Sequence, residues 1–182
     1  MTTSRPLAMV PNALTVLRLV IAAAFPFVPQ TWWLWLVAAG GASDALDGLI
    51  ARRFGLTTWI GALLDGIADK AFTLSVLGTL AAAGVLSPWM LLLLLARDIA
   101  VALMAAIGVI RRQWWGFRKA TARPLGKATT VALVVAVLLL LLRSRAAPVA
   151  LWAAAALSVL AAIDYFATFL RAQRQRPSSV GD

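Results

Sequence analysis

Residues 43–70 read SDALDGLIARRFGLTTWIGALLDGIADK, with aspartates at 44, 47, 65 and 69 in a stretch that otherwise has the composition of apolar helix. Asp44 and Asp47 are three apart and Asp65 and Asp69 four apart, so each pair shares one helix face. Between them Phe54-Gly55-Leu56-Thr57 reads as a turn. The midpoint of 44 and 69 is 56.5 and that of 47 and 65 is 56, both on that turn. In an antiparallel hairpin Asp44 is therefore level with Asp69, and Asp47 with Asp65. At about 1.5 Å per residue, the four lie roughly 12–18 Å from the turn along the helix axes.

The rest of the chain says what surrounds this hairpin. It has 182 residues, 62% of them hydrophobic and 13% charged, too apolar for an ordinary soluble domain. Runs such as 130–142 and 91–95 point to membrane spans. Six spans are expected, at 12–29, 32–53, 58–84, 88–110, 127–143 and 148–170. Short turn-bearing connections separate them at Pro29, Gly55, Ser87-Pro88 and Pro148, with one longer basic loop over 111–126. The fold class is an all-α integral membrane protein, one domain over 1–176, with a polar tail over 177–182. A cleaved leader is not favoured, because Arg18 interrupts the would-be apolar core and five more spans follow.

The net charge of +10 is distributed by topology. With the N-terminus in the cytoplasm, that side receives twelve basic residues: Arg5, Arg52, Arg53, Arg111, Arg112, Arg118, Lys119, Arg123, Lys127, Arg171, Arg174 and Arg176. The other side receives two, Arg143 and Arg145. The positive-inside rule thus places both termini in the cytoplasm, and a basic nucleic-acid surface is not expected.

Four carboxylates in such a helical pair need compensation. Insertion scales put one central Asp at about 2.5–3.5 kcal/mol, and four on the order of 10 kcal/mol before their mutual repulsion. Lys70, Arg52 and Arg53 are the nearby cations in sequence. A divalent cation in a wet cavity is the natural offset, and an all-carboxylate donor set suits Mg²⁺, Mn²⁺ or Ca²⁺ rather than zinc. The seven acids are all Asp, and the chain lacks Glu, His and Cys. A general base must then be an aspartate, a lysine, a tyrosine or water. Gly48, Ala51, Gly61 and Ala62 either permit close helix packing or clear room for a nucleotide or diphosphate.

The pattern Asp44-x2-Asp47-Gly48-x2-Ala51-Arg52-x8-Gly61-x3-Asp65-x3-Asp69 resembles the signature of the CDP-alcohol phosphatidyltransferase family at every motif position. The PNALTVLR segment at 11–18 and the six-span plan are similar to that family as well. The resemblance implies a phospholipid-synthesising transferase that moves a phosphatidyl group from CDP-diacylglycerol to an alcohol hydroxyl and releases CMP. It implies that Asp44, Asp47, Asp65 and Asp69 hold Mg²⁺ or Mn²⁺, two ions in all, with Asp69 also the catalytic base. It implies a nucleotide pocket shaped by Gly48, Ala51, Arg52 and Gly61, although Arg52 could instead be a positive-inside anchor. Asn12, Thr15 and Arg18 recur every three residues as a polar stripe on the first span, either an interface stripe at its cytoplasmic end or, as the resemblance implies, a wall of that pocket. It also implies a homodimer in a bacterial-type plasma membrane, with the site facing the cytoplasm.

For the acceptor, Arg118, Arg123 and Lys127 in the basic loop would take a phosphate, Arg through paired donors and Lys as a point charge. The alternative is that they only orient the chain and attract anionic lipid. Glycerol 3-phosphate, giving phosphatidylglycerol phosphate, is the first choice; phosphatidylglycerol, giving cardiolipin, is the second. Members using glycerol phosphate usually carry proline after the third aspartate, where this chain has Gly66, so inositol phosphate stays open. Arg97-Asp98 is either a structural ion pair or part of the acceptor pocket, and Asp164 is expected to pack or pair near the end of the last span. Trp32, Trp33, Trp35, Trp114 and Trp115 are expected as interface anchors. An intramembrane prenyltransferase would lack the Asp-Gly-x2-Ala-Arg run. A cation transporter would need polar residues across the far half of the membrane, where 74–84 and 131–142 offer little beyond Ser75 and Thr79.

Overall fold

The computed structural model describes the backbone of residues 5–54, 59–110 and 124–174, and the side chains of 15–43, 64–107, 126 and 128–171. Among the described residues there are six α-helices and no strand. They are α1 (Arg5–Ala24), α2 (Gln30–Phe54), α3 (Trp59–Ala82), α4 (Pro88–Ile110), α5 (Pro124–Leu141) and α6 (Ala147–Arg174), with a 3₁₀ turn at Phe25–Phe27. The first helix departs most from expectation, starting at Arg5 and ending at Ala24 rather than running over 12–29. The apolar run continues through Phe27, but the Pro26 ring opposes the α conformation at Phe25, and the chain tightens into 3₁₀.

The chain forms two compact units, Met1–Ser87 and Pro88–Asp182. In the first, α1 packs along α3 and also against α2. Ile21, Phe25, Val37, Phe72, Val76 and Leu77 are among its buried side chains. The Phe25 ring stacks on Trp33 at 5.8 Å between centroids, and the Trp33 indole N–H donates to the Val28 carbonyl at 3.0 Å. Trp33 is therefore a core residue rather than an interface anchor, whereas Trp32 and Trp35 are exposed. The Ser75 hydroxyl on α3 donates to the Ala22 carbonyl on α1 and ties the two helices together. Helix α3 ends in a Schellman cap: Val85 N–H donates to Leu80 O at 2.9 Å and Gly84 N–H to Ala81 O at 3.0 Å. Gly84 takes the left-handed φ of +72° that this cap requires.

In the second unit α6 packs against both α4 and α5. Ala147, Ala154, Ser158, Ala161, Tyr165 and Phe169 recur at helical spacing along one buried face of α6. The small residues among them let neighbouring backbones approach closely. Met104 of α4 packs with Ala161, Tyr165 and Phe169. The fully buried Ser158 hydroxyl donates to the Leu94 carbonyl at 2.8 Å, tying α6 to α4. Pro88–Ile107 of α4 and Ala147–Arg171 of α6 are long and apolar enough to cross a membrane; Thr15–Phe27 and Ala128–Leu141 are shorter apolar helices.

Candidate active site

Thr15, Arg18 and Ala22 are spaced three and four apart on α1, and all three are buried. A guanidinium on such a face needs an anion, because stripping its water without a partner costs several kcal/mol. It finds one on α3: Arg18 Nη1 lies 2.9 Å from Asp65 Oδ1, a bond across 47 residues of sequence. The two ends differ in setting. The Arg18 side chain is 1% exposed and that of Asp65 44% exposed. Asp65 and Asp69 flank the fully buried Ala68 on the inner side of α3, while Gly66 and Ile67 on the other side are exposed. The sequence puts two helices around the carboxylates; the structure adds α1 as a third.

Helix α2 meets α3 closely at Gly40. A Cβ at this position would overlap the Phe72 ring, so the absence of a side chain is what lets the ring lie against the α2 backbone. The neighbouring Ser43 hydroxyl is turned back onto the Gly40 carbonyl at 2.8 Å. Residues 40 and 72 have a midpoint of 56, the same as 47 and 65. Moving along both helices towards their connection, the ladder leads from 40/72 to 44/69 and then to 47/65 at helical spacing. Both α2 and α3 are helical over these positions. The side chains of Asp44, Asp47, Gly48, Ala51, Arg52, Gly61 and Asn12 lie outside the described residues, as does the 55–58 connection. Among the described residues no set of three potential metal ligands is assembled, and Asp65 and Asp69 are the two motif carboxylates placed. Their donor chemistry fits a hard divalent ion: carboxylate oxygens, one half-exposed and so open to a ligand, with no His or Cys in the chain to divert it.

A second polar centre lies inside the second unit. Arg97, buried on α4, donates from Nη2 to Asp98 Oδ1 at 3.0 Å and from Nε to the same oxygen at 3.2 Å. Its Nη1 reaches the Gly126 carbonyl in the first turn of α5 at 2.6 Å and Thr130 Oγ1 at 3.1 Å. The Tyr165 hydroxyl is packed so close to Gly126 that a Cβ there would come within 2.8 Å of it. Arg97 and Asp98 thus form an ion pair, one of the two readings open to them from sequence. Its guanidinium also binds α5 through Gly126 and Thr130, partners that lie far away in sequence. Arg97→Leu takes one partner from a carboxylate 14% exposed and the donor from the Gly126 carbonyl and Thr130, an expected cost of about 1–3 kcal/mol. Replacing both Arg97 and Asp98 with leucine is expected to recover only part of it, because Gly126 and Thr130 still lack that donor. Thermal unfolding of the single and double variants in detergent checks this order.

Arg118 and Arg123 lie outside the described residues, as do Trp114 and Trp115, and of Lys127 only the backbone, in α5, is described. Asp164 lies in α6, where its carbonyl accepts the Thr168 hydroxyl at 2.8 Å. Thr15 and Arg18 share the polar stripe of the first helix, but their spacing does not pair Arg18 with Asp65. The available signal was a basic residue inside an apolar helix, a position it shares with Lys70 and Arg97 in a chain most of whose cations lie nearer helix ends.

A family model described as CDP-alcohol phosphatidyltransferase matches residues 8–160. A CMP-forming cardiolipin synthase of Streptomyces coelicolor is 37% identical over 143 residues, covering 73% of this chain and 65% of that protein. A probable phosphatidylglycerophosphate synthase of Mycobacterium tuberculosis is 33% identical over 181 residues, covering 88% of this chain and 81% of that one. A CDP-diacylglycerol–glycerol-3-phosphate 3-phosphatidyltransferase of Bacillus subtilis is 30% identical over 145 residues, covering 73% and 69%.

Proposed function

The chain belongs to the CDP-alcohol phosphatidyltransferase family, and on that premise we propose that it transfers the phosphatidyl group of CDP-diacylglycerol to an alcohol hydroxyl, releasing CMP. The observation that carries this reading is the family's eight-residue aspartate motif, two of whose carboxylates, Asp65 and Asp69, stand on the inner side of α3. The acceptor oxygen attacks the phosphorus bonded to the diacylglycerol oxygen. The bond from that phosphorus to the CMP phosphate breaks, and the hydroxyl proton passes to a base. Asp69 is that base by the family resemblance, and a carboxylate near the hydroxyl can take its proton. Asp44, Asp47, Asp65 and Asp69 would hold Mg²⁺ or Mn²⁺, two ions. When bound, such ions neutralise the charge that grows on the departing CMP. Asn12, Thr15, Gly48, Ala51, Arg52 and Gly61 shape the nucleotide pocket.

The setting is a membrane. Two helices have the length and composition to cross one. Large apolar side chains such as Leu103, Val131, Leu160 and Ile163 keep more than half of their surface uncovered, a condition that favours lipid over water. The six-span arrangement has both termini and the site on the cytoplasmic side, as the basic residues require. Association as a homodimer belongs to the same reading.

Glycerol 3-phosphate is the proposed acceptor, its phosphate held by Arg118, Arg123 and Lys127. A second reading, phosphatidylglycerol as acceptor, draws on the 37% identity to a protein named as a CMP-forming cardiolipin synthase. Purified protein given CDP-diacylglycerol and Mg²⁺ with one acceptor at a time separates them. CMP release is expected with glycerol 3-phosphate. Release with phosphatidylglycerol alone moves the protein to cardiolipin formation, and release with inositol phosphate alone moves it to a third product. CMP from none of them would end the transferase reading.

A further inference from the structure

We propose that Arg18 is a positioning residue for the metal site: by binding Oδ1 of Asp65 it fixes that carboxylate so that its other oxygen, Oδ2, is presented to the divalent ion. This rests on the transferase reading above, in which Asp65 is a metal ligand. The geometry is asymmetric in a way that suits the role. The Arg18 side chain is enclosed, 1% exposed, and so has one settled position. Asp65, at 44% exposed, is free on its outer side. Without the bond at 2.9 Å, such a carboxylate would rotate among its rotamers and meet a metal only part of the time. Fixing it in advance removes that ordering cost from metal binding, as partners behind a ligand commonly do.

A cation beside a metal ligand also opposes the metal through charge, and the balance decides the sign of the effect. Arg18 sets one positive charge against the four aspartates, and Lys70, Arg52 and Arg53 are the same in the wild type and the variant, so the arginine alone does not cancel the carboxylates' attraction for divalent ions. Attraction therefore survives the arginine, while the orientation would not survive its loss. Arg also suits the position better than Lys, because its planar fork sets a direction and the charge persists when buried. In the metal-free protein the same bond offsets part of the repulsion among the carboxylates, so α1 is joined to α3 before any ion arrives.

The test is Mn²⁺ affinity, read as free Mn²⁺ by electron paramagnetic resonance on purified wild-type, Arg18→Met, Arg18→Lys, Asp65→Asn and doubly substituted protein. Arg18→Met is expected to weaken binding about 10–100-fold, with Arg18→Lys between it and the wild type. In the Asp65→Asn background the same substitution should change affinity by less than about twofold, because the carboxylate it positions is gone. A merely structural arginine would instead lower affinity equally in both backgrounds, and that result overturns the proposal. Unchanged or tighter binding by Arg18→Met overturns it too. Should Arg18→Met fail to fold, wild-type affinity in folded Arg18→Lys does the same. Failure of the underlying reading looks different: Asp65→Asn and Asp69→Asn would both bind Mn²⁺ like the wild type.

Discussion

Asp69→Asn is expected to slow CMP release from CDP-diacylglycerol by about 10²–10⁴-fold at saturating acceptor and metal. The substitution keeps the shape of the side chain and removes its basicity. No residue of the usual kind stands ready to replace it, since the sequence contains neither His nor Glu nor Cys. Asp69 is also a metal ligand in the proposed site, so the variant must be assayed across a Mg²⁺ titration. Loss of a ligand alone is made good by more metal. Loss of the base is not, and the rate at saturating Mg²⁺ isolates that part. A rate within a few-fold of the wild type at high Mg²⁺ would take the base role away from Asp69.

The second large effect concerns the metal itself. Chelation with EDTA is expected to bring CMP release to background, and Mg²⁺ or Mn²⁺ to restore it, while Zn²⁺ fails because the donors are carboxylate oxygens alone. Asp47→Asn and Asp44→Asn should each lower the rate by about 10²–10³-fold, the scale seen when one preorganised electrostatic contact to a developing charge is removed. Both should also need more Mn²⁺ for half-maximal activity. Activity that persists in EDTA would remove the metal from the reaction and leave the four aspartates without the offset that justifies them.

Much of this fold was legible in the sequence, for identifiable reasons. Hydropathy and turn residues place α4 at 88–110, where the helix runs Pro88–Ile110, because Ser87-Pro88 marks its start. The end of α1 was misread because Phe25-Pro26-Phe27 is apolar on both sides of a proline, and hydropathy does not register a backbone restraint. Trp33 was misread because an indole on a membrane-facing helix and one stacked on Phe25 look alike in sequence.

The candidate site divides along similar lines. Midpoint arithmetic can align α2 with α3 because few residues connect them in sequence, and the Gly40–Phe72 contact has the same midpoint as residues 47 and 65. No such mirror relates α1 to α3. The 47-residue separation of Arg18 and Asp65 carries no periodicity, so their bond could be found only in three dimensions. The same holds for Arg97: its adjacent acid is visible in sequence, whereas its bonds to Gly126 and Thr130 depend on how α4 and α5 are arranged within the second unit.

In the proposed site α2 and α3 bring four aspartates to one divalent-metal centre. An experimental structure of the Mn²⁺-loaded protein, with anomalous scattering recorded at the manganese edge, locates the ions. Anomalous density is expected among the carboxylates of Asp44, Asp47, Asp65 and Asp69, with Arg18 still on Asp65. Manganese bound elsewhere, or Asp44 and Asp47 turned away from Asp65 and Asp69, would rule the site out.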